Sequence, residues 1–152
     1  GLQLGVVARS VVGLAIAATA PEAHVTFVDE SFMAVASAAA TYAENLGEDR
    51  AATSARFAVG DTLFHLQSGD PIERGSIDLV VNNPPFHDDH ALVDAVAWKM
   101  FSESRRALRP GGEIWVVGNR HLGYHVKLRR LFGDVDVVSS DPKFVVLRSV
   151  RP

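Results

Sequence analysis

The segment Asn83-Pro84-Pro85-Phe86 has the residue types best suited to chemistry in this chain. Two consecutive prolines fix the backbone, so that the Asn83 side-chain oxygen and the Pro84 carbonyl, both acceptors, can point at one spot. An amino group held there by both protons would keep its nitrogen lone pair free to face an electrophile, and Phe86 could stack on the flat ring that bears it. Because such an exocyclic amine is nearly non-basic, orienting it matters more than a strong general base. The alternative interpretation is a rigid Asn-Pro turn with a core phenylalanine.

A carboxylate ends an apolar, strand-like run earlier in the chain. Asp29 follows the run from His24 to Val28 and precedes Glu30 and Ser31. In nucleotide-binding sheets a carboxylate at this place accepts hydrogen bonds from the two hydroxyls of a ribose. A strand-terminal Asp that caps the next helix explains the same pattern, so both interpretations stay open.

The run His87-Asp88-Asp89-His90 has the composition of a metal site but not its spacing. Four adjacent residues cannot all point at one ion in a regular element, and no distant partner lies at motif spacing. We therefore expect no metal, and we interpret Asp88 and Asp89 as charges that favour the first turn of a helix. The chain has no cysteine, which excludes disulfides, thiolate zinc sites and cysteine nucleophiles.

Apolar runs of strand length alternate with segments of helical period along the chain, which predicts an α/β fold. The 152 residues have the size of a single domain. The last two strands, joined by a turn, should form a hairpin, so we expect a doubly wound, mostly parallel seven-stranded sheet with a C-terminal antiparallel hairpin. The predicted strands are 2–7, 24–28, 55–59, 77–81, 113–118, 135–138 and 143–150, and the predicted helices are 10–20, 32–46, 91–108 and 124–132.

Ligands of such sheets bind at the carboxyl ends of the strands, where the strand order reverses. In this sequence that rule selects four segments. They are 5–10, Asp29-Glu30, Gly60-Asp61 and 83–87.

The net charge of −3 is unevenly distributed. Residues 99–130 contain eight Lys and Arg against Glu103 and Glu113, a local charge of +6. A polyanion could bind there, although a set of solvated helix faces gives the same pattern. The longest apolar stretch, 11–20, is about half the ~20 residues that cross a bilayer. We expect no membrane contact and a cytoplasmic location; a signal peptide over 9–20 is the weaker interpretation.

The chain resembles the class I S-adenosylmethionine-dependent methyltransferases, in particular the bacterial rRNA guanine-N2 methyltransferases, whose motif is Asn-Pro-Pro-Phe-His. The resemblance covers nearly the whole chain and is strongest with the branch that modifies a guanine of 23S rRNA. It implies S-adenosylmethionine as cofactor and ribosomal RNA as partner. The matching segments are 11–14, 27–31, 33–37, 83–87, 90–92, 97–98, 119–122 and 143–147.

The resemblance also implies roles for individual residues. Asp29 would hold the cofactor ribose, Met33 would pack on its adenine and Asp61 would accept from the adenine amine, while Gly5, Glu30 and Asn83 would also contact the cofactor. Asn83, Pro84, Pro85 and Phe86 would hold the target guanine, flipped out of folded or single-stranded RNA. Phosphates would meet Arg120, Lys127, Arg129 and Arg130.

One segment departs from the family. The family has an acidic residue and a Gly-x-Gly-x-Gly turn after its first strand, where this chain has 3–10 with Gly5 alone. The β-branched Val6 and Val7 are expected to fill space that the methionine end of the cofactor needs. The upstream helix and additional N-terminal domain of the family are absent from the sequence, so we expect a truncated or altered fragment in which residues 1–152 form one catalytic domain. For the oligomeric state, a monomer is favoured.

These observations predict an rRNA guanine-N2 methyltransferase. One alternative keeps the fold but methylates a DNA adenine or a protein glutamine, because related Asn-Pro-Pro motifs also hold those amines. The other is a non-catalytic RNA-binding module whose cofactor turn has degenerated, and the segment 3–10 is its main support.

Overall fold

The computed structural model describes residues 1–7, 10–67, 69–84 and 89–152. Strands and helices alternate through most of these ranges, as the apolar pattern predicts. In chain order the elements are β1 (Gln3–Val7), α1 (Ser10–Thr19), β2 (His24–Asp29), α2 (Phe32–Leu46), α3 (Glu48–Ser54), β3 (Ala55–Val59), β4 (Ile77–Asn82), α4 (His90–Ala107), β5 (Leu108–Asn119), a 3-10 turn (Arg120–Leu122), α5 (Tyr124–Phe132), β6 (Asp136–Ser140) and β7 (Phe144–Val150).

The strands form one sheet in the order β3-β2-β1-β4-β5-β7-β6. β1 pairs in parallel with β2 on one side and with β4 on the other, so the strand order reverses between β1 and β4. β7 is antiparallel to both β5 and β6. The predicted doubly wound sheet with a C-terminal antiparallel hairpin is therefore confirmed. Its switch point directs attention to the carboxyl ends of β1 and β4.

The helices bury the two faces of the sheet in two apolar clusters. α1 and α2 pack on β1 and β2, and their cluster includes Phe27 and Tyr42. α4 and α5 pack on the opposite face over β4, β5 and β7, around Phe101 and Leu128. Each fully buried side chain of this size contributes about 1.5–3 kcal/mol, so these two clusters fix where α1, α2, α4 and α5 lie relative to the strand ends.

α1 lies close to the sheet because residue 13 is glycine. A Cβ at Gly13 would stand 2.4 Å from Phe27 Cε1 and 3.0 Å from a methyl of Val6. Val6 is fully buried inside β1, in the cluster under α1. The expectation that Val6 fills cofactor space is therefore wrong, because its side chain belongs to the core between strand and helix. For Val7 the expectation stays a prediction, because its side chain, like residues 8 and 9 that follow β1, lies outside the described part of the chain.

Most element boundaries differ from the prediction by one or two residues, and a few differences change the fold or the site. α3 was not predicted because its seven residues have no apolar face, and none of them is buried. β4 extends to Asn82. β5 begins at Leu108 rather than at 113, since Pro110-Gly111-Gly112 lies within a strand instead of ending a helix. The Gly111 N–H donates to the Arg151 carbonyl at 2.8 Å, and this pairing keeps the segment in the sheet.

α1 is more apolar than α2 and has 10 residues. It crosses from β1 to β2, the role predicted in preference to a signal peptide. Within the described ranges, none of the helices combines the length and the apolar character needed to span a bilayer.

Candidate active site

The parallel strands bring the predicted site residues to one end of the sheet, here called the carboxyl end. Asp29 pairs with Val59 where β2 and β3 finish, and Val7 pairs with Asn82 where β1 and β4 finish. Neighbouring strands lie about 4.8 Å apart, so the ends of β2 and β4, two strands apart, are separated by roughly 10 Å. A ligand of nucleotide size can therefore reach from the Asp29 strand end to the Asn83 corner.

Asp29 shapes the loop that leads into α2. Its Oδ1 accepts a hydrogen bond from the Ser31 N–H at 2.8 Å, and Ser31 Oγ accepts one from the Ala34 N–H at 3.2 Å. Ser31 is thus the N-cap of α2, so the interpretation of Asp29 as the helix cap is wrong. The partly exposed Asp29 carboxylate at the strand end can accept hydrogen bonds from the hydroxyls of a ligand.

The first turn of α2 leaves two large apolar side chains in solvent. Phe32 is 73% exposed and Met33 is 77% exposed. Paired exposure of this kind beside a polar strand end is typical of a surface that a ligand covers. Met33, predicted to pack on an adenine, is therefore placed where it could do so, and Phe32 is an additional candidate that the sequence pattern did not single out.

Asp61 begins the loop that follows β3, and its charge is stabilised by a lysine of α4. Lys99 Nζ forms an ion pair with Asp61 Oδ2. The pKa of Asp61 lies below its usual range, first because of the hydrogen bond from the Lys99 ammonium and then because of one with Glu30. The same ion pair raises the pKa of Lys99. Asp61 is consequently a carboxylate at neutral pH, the acceptor that an adenine amine needs. Glu30, the other acidic residue predicted here, lies against it.

The same loop is tied to α4 by a buried carboxylate. Glu103 is 5% exposed; it accepts a hydrogen bond from Thr62 Oγ1 and lies 3.0 Å from His65 Nδ1. Sequence reasoning missed Glu103 and Lys99. Their spacing of four residues, which places both on one face of a helix, is the signal that could have found them.

The two asparagines before the prolines have different surroundings. Asn82 is fully buried, and its Nδ2 donates to Ser104 Oγ at 2.9 Å. Asn83 is partly buried, and its side chain makes no hydrogen bond to any residue of the described ranges. Pro84 is buried. Asn83 is therefore the asparagine whose amide is available to a ligand. Pro85 and Phe86 lie outside the described residues, so their predicted roles stay predictions.

Gly5 does not lie at the carboxyl end of the sheet. It is inside β1, paired with Thr26 and Val80. A Cβ at this position would stand 3.3 Å from a methyl of Leu63. The expected cofactor contact of Gly5 is therefore replaced by a core position, because β1 continues to residue 7 and the turn comes later.

Of the acidic pair predicted to begin a helix, Asp89 is placed as expected. It is the N-cap of α4, and its Oδ1 accepts hydrogen bonds from the N–H groups of Ala91 at 3.0 Å and Leu92 at 3.2 Å. His87 and Asp88 lie outside the described residues.

The four predicted phosphate contacts differ in how exposed they are. Arg120, Arg129 and Arg130 are exposed, and the Arg130 guanidinium lies 5.6 Å from the centre of the Trp98 ring. Lys127 has a side chain only 14% exposed and pairs with Asp94 at 2.6 Å. Three of the predicted cations are thus open to a polyanion, whereas the charge of Lys127 is compensated within the protein.

An exposed aromatic side chain lies at the carboxyl end of the sheet, on the second strand from β4. Phe144 begins β7 opposite Asn119, which ends β5, and is 47% exposed. Lys143 Nζ lies 5.3 Å from the centre of its ring. Phe144 and Lys143 therefore form an aromatic and cationic surface at the carboxyl end, and such surfaces favour stacking of nucleic acid.

A cavity of about 510 Å³ lies elsewhere, on the same face of the sheet as α1 and α2. It lies over β4 and β5, which these two helices leave uncovered. None of the predicted site residues lines it. Its lining consists of Leu2, Ile16, Asp78, Leu79, Val81, Arg109, Gly111, Glu113, Trp115 and Val117.

Comparisons with known proteins identify the family of this chain. The family model described as "Methyltransferase small domain" matches residues 6–148. The chain is 59% identical over 143 residues to the ribosomal RNA large subunit methyltransferase G of Streptomyces avermitilis, and 48% identical to the protein of that name from Aeromonas salmonicida. Each match covers 94% of this chain but only 35% and 36% of the relative. The chain thus spans about a third of the length of these relatives.

Solved structures share the fold. A 16S rRNA N2 methyltransferase of T. thermophilus, in complex with AdoMet and guanosine, superposes with a TM-score of 0.72 at 24% identity, covering all of this chain and 38% of that one. A geranyl diphosphate C-methyltransferase of Streptomyces coelicolor gives 0.71 at 12% identity and covers 71% of that chain. Such distant structures show the fold and not the acceptor. The family match over 6–148 does show the family, and the predicted class of enzyme is confirmed: this chain belongs to the methyltransferase small domain family.

Proposed function

We propose that this chain is the catalytic domain of an enzyme that methylates the exocyclic N2 amine of a guanine in ribosomal RNA of the large subunit. The donor is S-adenosylmethionine, and the reaction takes place in the cytoplasm. The proposal is supported by the relatives named ribosomal RNA large subunit methyltransferase G and by the placement of Asn83.

The observation that carries the proposal is the side-chain amide of Asn83. It lies at the switch point of the sheet and makes no hydrogen bond within the described ranges. Its neighbour Asn82 has already donated to Ser104, and Pro84 is buried and cannot donate. Asn83 Oδ1 and the Pro84 carbonyl are the two acceptors available to the two protons of a planar amine. An amine held in this way directs its lone pair away from both acceptors, which is the orientation that transfer to nitrogen requires.

The residues at the carboxyl end fit the adenosine half of the cofactor. Asp29 offers a strand-terminal carboxylate, Met33 offers an exposed apolar cover and Asp61 offers a charged acceptor. The three lie on β2, α2 and the loop after β3, which adjoin one another. When bound, S-adenosylmethionine supplies a methyl group on a sulfonium, which a correctly placed amine can accept without a covalent enzyme intermediate.

The RNA would be bound by exposed cations that begin at the same end and continue along α5. Arg120 follows β5 directly, and Arg129 and Arg130 extend the positive surface along α5. These contacts are with phosphates, which position an RNA without reading its sequence. The target base must leave its stack to reach Asn83, and exposed Phe144 lies where an unstacked base could be received.

Replacement of Asn83 by alanine tests the proposal, with Asn45→Ala as the matched control. Asn45 is an exposed asparagine near the end of α2, where its side chain only donates to the Thr41 carbonyl. We expect Asn83→Ala to lower methyl transfer to ribosomal RNA by about 10²–10³-fold, the usual cost of losing a preorganised hydrogen bond at a reacting group. Affinity for S-adenosylhomocysteine, measured by calorimetry, should stay within about twofold, and Asn45→Ala should change neither quantity.

Transfer that survives Asn83→Ala would refute the role of this residue. Failure of the unmodified protein to bind S-adenosylhomocysteine would refute the enzyme itself and favour a non-catalytic RNA-binding module. Competition by adenine-containing DNA better than by guanine-containing RNA would favour the other class of amine.

A further inference from the structure

One turn of α4 makes polar contacts with two separate parts of the carboxyl end. Glu103 contacts the loop after β3 through Thr62 and His65, with His65 Nδ1 at 3.0 Å. The next residue, Ser104, accepts a hydrogen bond from Asn82 at 2.9 Å, directly before the Asn83 corner. Two adjacent side chains of one helix therefore contact both parts of the proposed site, which are the loop after β3, with Asp61, and the end of β4, before Asn83.

The Glu103 contact costs stability unless its hydrogen bonds compensate it. The carboxylate is 5% exposed and Thr62 is 2% exposed, so both polar groups are withdrawn from water. A buried carboxylate destabilises a fold when it lacks partners, and an apolar side chain would fill the same volume at no such cost. What Glu103 gains in return is a fixed conformation of the loop that it contacts.

That loop is also closed on itself. Gly60 and Leu66 form a bridge, and the Asp61 N–H donates to the His65 carbonyl at 3.0 Å. A Cβ at Gly60 would stand 2.5 Å from the same carbonyl oxygen, so only glycine permits this tight return. Thr62 and His65 contact Glu103, while Asp61 pairs with Lys99 beside Glu30. Glu103 thereby holds the loop that carries Asp61, while Lys99 and Glu30 contact the Asp61 carboxylate itself.

Ser104 contacts the other part of the proposed site, at the end of β4. Its Oγ donates to the Met100 carbonyl at 2.7 Å and accepts from Asn82 Nδ2. Asn82 and Ser104 are 0% and 1% exposed. Because Asn82 is the last residue of β4, fixing its side chain fixes the backbone from which Asn83 and Pro84 depart.

We propose that Glu103 and Ser104 are separate positioning residues: Glu103 orients the Asp61 loop for the adenine of the cofactor, and Ser104 orients the Asn83 corner for the target amine. The inference rests on the proposed function. It predicts that adjacent substitutions on one helix alter different steps. Loss of Glu103 weakens cofactor binding, and loss of Ser104 slows transfer.

The experiment compares Glu103→Ala, Glu103→Gln and Ser104→Ala in the protein. Calorimetry gives the dissociation constant of S-adenosylhomocysteine, and single-turnover transfer to ribosomal RNA at saturating S-adenosylmethionine gives the rate constant. Glu103→Ala should weaken binding about tenfold or more, the usual effect of losing a hydrogen bond to a charged group, with the rate constant within about threefold. Glu103→Gln should recover most of the affinity, because its amide oxygen still accepts from Thr62. Ser104→Ala should leave binding within about twofold and slow transfer about tenfold.

If Glu103→Ala does not fold, Thr62→Val removes the same hydrogen bond from the loop side and should give the same binding defect. Equal binding by the unmodified protein and by the folded Glu103 and Thr62 variants overturns the inference. So does a shift of both measured quantities in the same proportion by the Glu103 and Ser104 variants, because that outcome indicates general destabilisation. If the unmodified protein binds no S-adenosylhomocysteine, the proposed function fails first.

Discussion

Substitution of Gly13 by alanine should destabilise the protein, although alanine is the better helix former. An added Cβ would stand 2.4 Å from Phe27 Cε1, about 1 Å inside ordinary van der Waals contact. The Phe27 ring is itself held by a stack on Phe57 at 5.1 Å and an edge contact with Tyr42 at 6.0 Å. Overpacking of this kind costs about 1–3 kcal/mol, and the rigid surroundings favour the upper half of that range.

The gain in helix propensity offsets about 1 kcal/mol of that cost, so Gly13→Ala should lose about 1–2 kcal/mol. For a domain of this size the melting temperature would fall by roughly 2–8 °C. The effect can be assigned to the Phe27 contact with a double-mutant cycle, in which Phe27→Leu shortens the ring and makes room for the new methyl group. Gly13→Ala should then cost less in the Phe27→Leu background than in the unmodified protein. A melting temperature of Gly13→Ala equal to or above that of the unmodified protein would refute the packing argument.

Two further predictions concern titratable groups away from the site. Burial, followed by the charge of Asp94, raises the pKa of Tyr124 to about 12, so the free energy of unfolding should fall between pH 10 and 12, where only the unfolded tyrosine ionises. Tyr124→Phe should remove this pH dependence. Because the Tyr124 hydroxyl has no partner among the described residues, the substitution should also raise the melting temperature by about 2–4 °C. The Arg148 guanidinium lowers the pKa of Glu113, so their ion pair should stabilise the fold above pH 4.5 and be lost on acidification. Melting curves of Glu113→Gln should therefore depend less on acid pH than those of the unmodified protein. The difference in the free energy of unfolding should be under about 1 kcal/mol, because the pair is partly exposed.

The parts of the structure that the sequence predicts are those written in short stretches of chain. Alternating apolar runs gave the seven strands and the reversed β7, and the consecutive prolines marked the corner after β4. The contacts that shape the site are of another kind. Lys99 and Asp61 are 38 residues apart, and Thr62 and Glu103 are 41 apart, so no local pattern encodes either pair. They exist because the loop after β3 reaches over the sheet to α4, which packs on β4 and β5, and this is a property of the assembled fold.

The valines of the glycine-poor segment 3–10 belong to a strand, which explains why β-branched residues occur there. Successive side chains of a strand point to opposite faces, so Leu4 and Val6 enter the cluster under α1 and α2 while Gly5 faces Leu63 on the other side. A β-branched valine is well suited to such a strand. The expectation that Val6 fills cofactor space placed this residue in the turn, whereas β1 continues to Val7. The structure thereby removes Val6 from the cofactor space, while the lack of an acidic residue and of further glycines in 3–10 still supports the non-catalytic interpretation. Asp29, Met33 and Asp61 remain at the carboxyl end as the residues that cofactor binding would use.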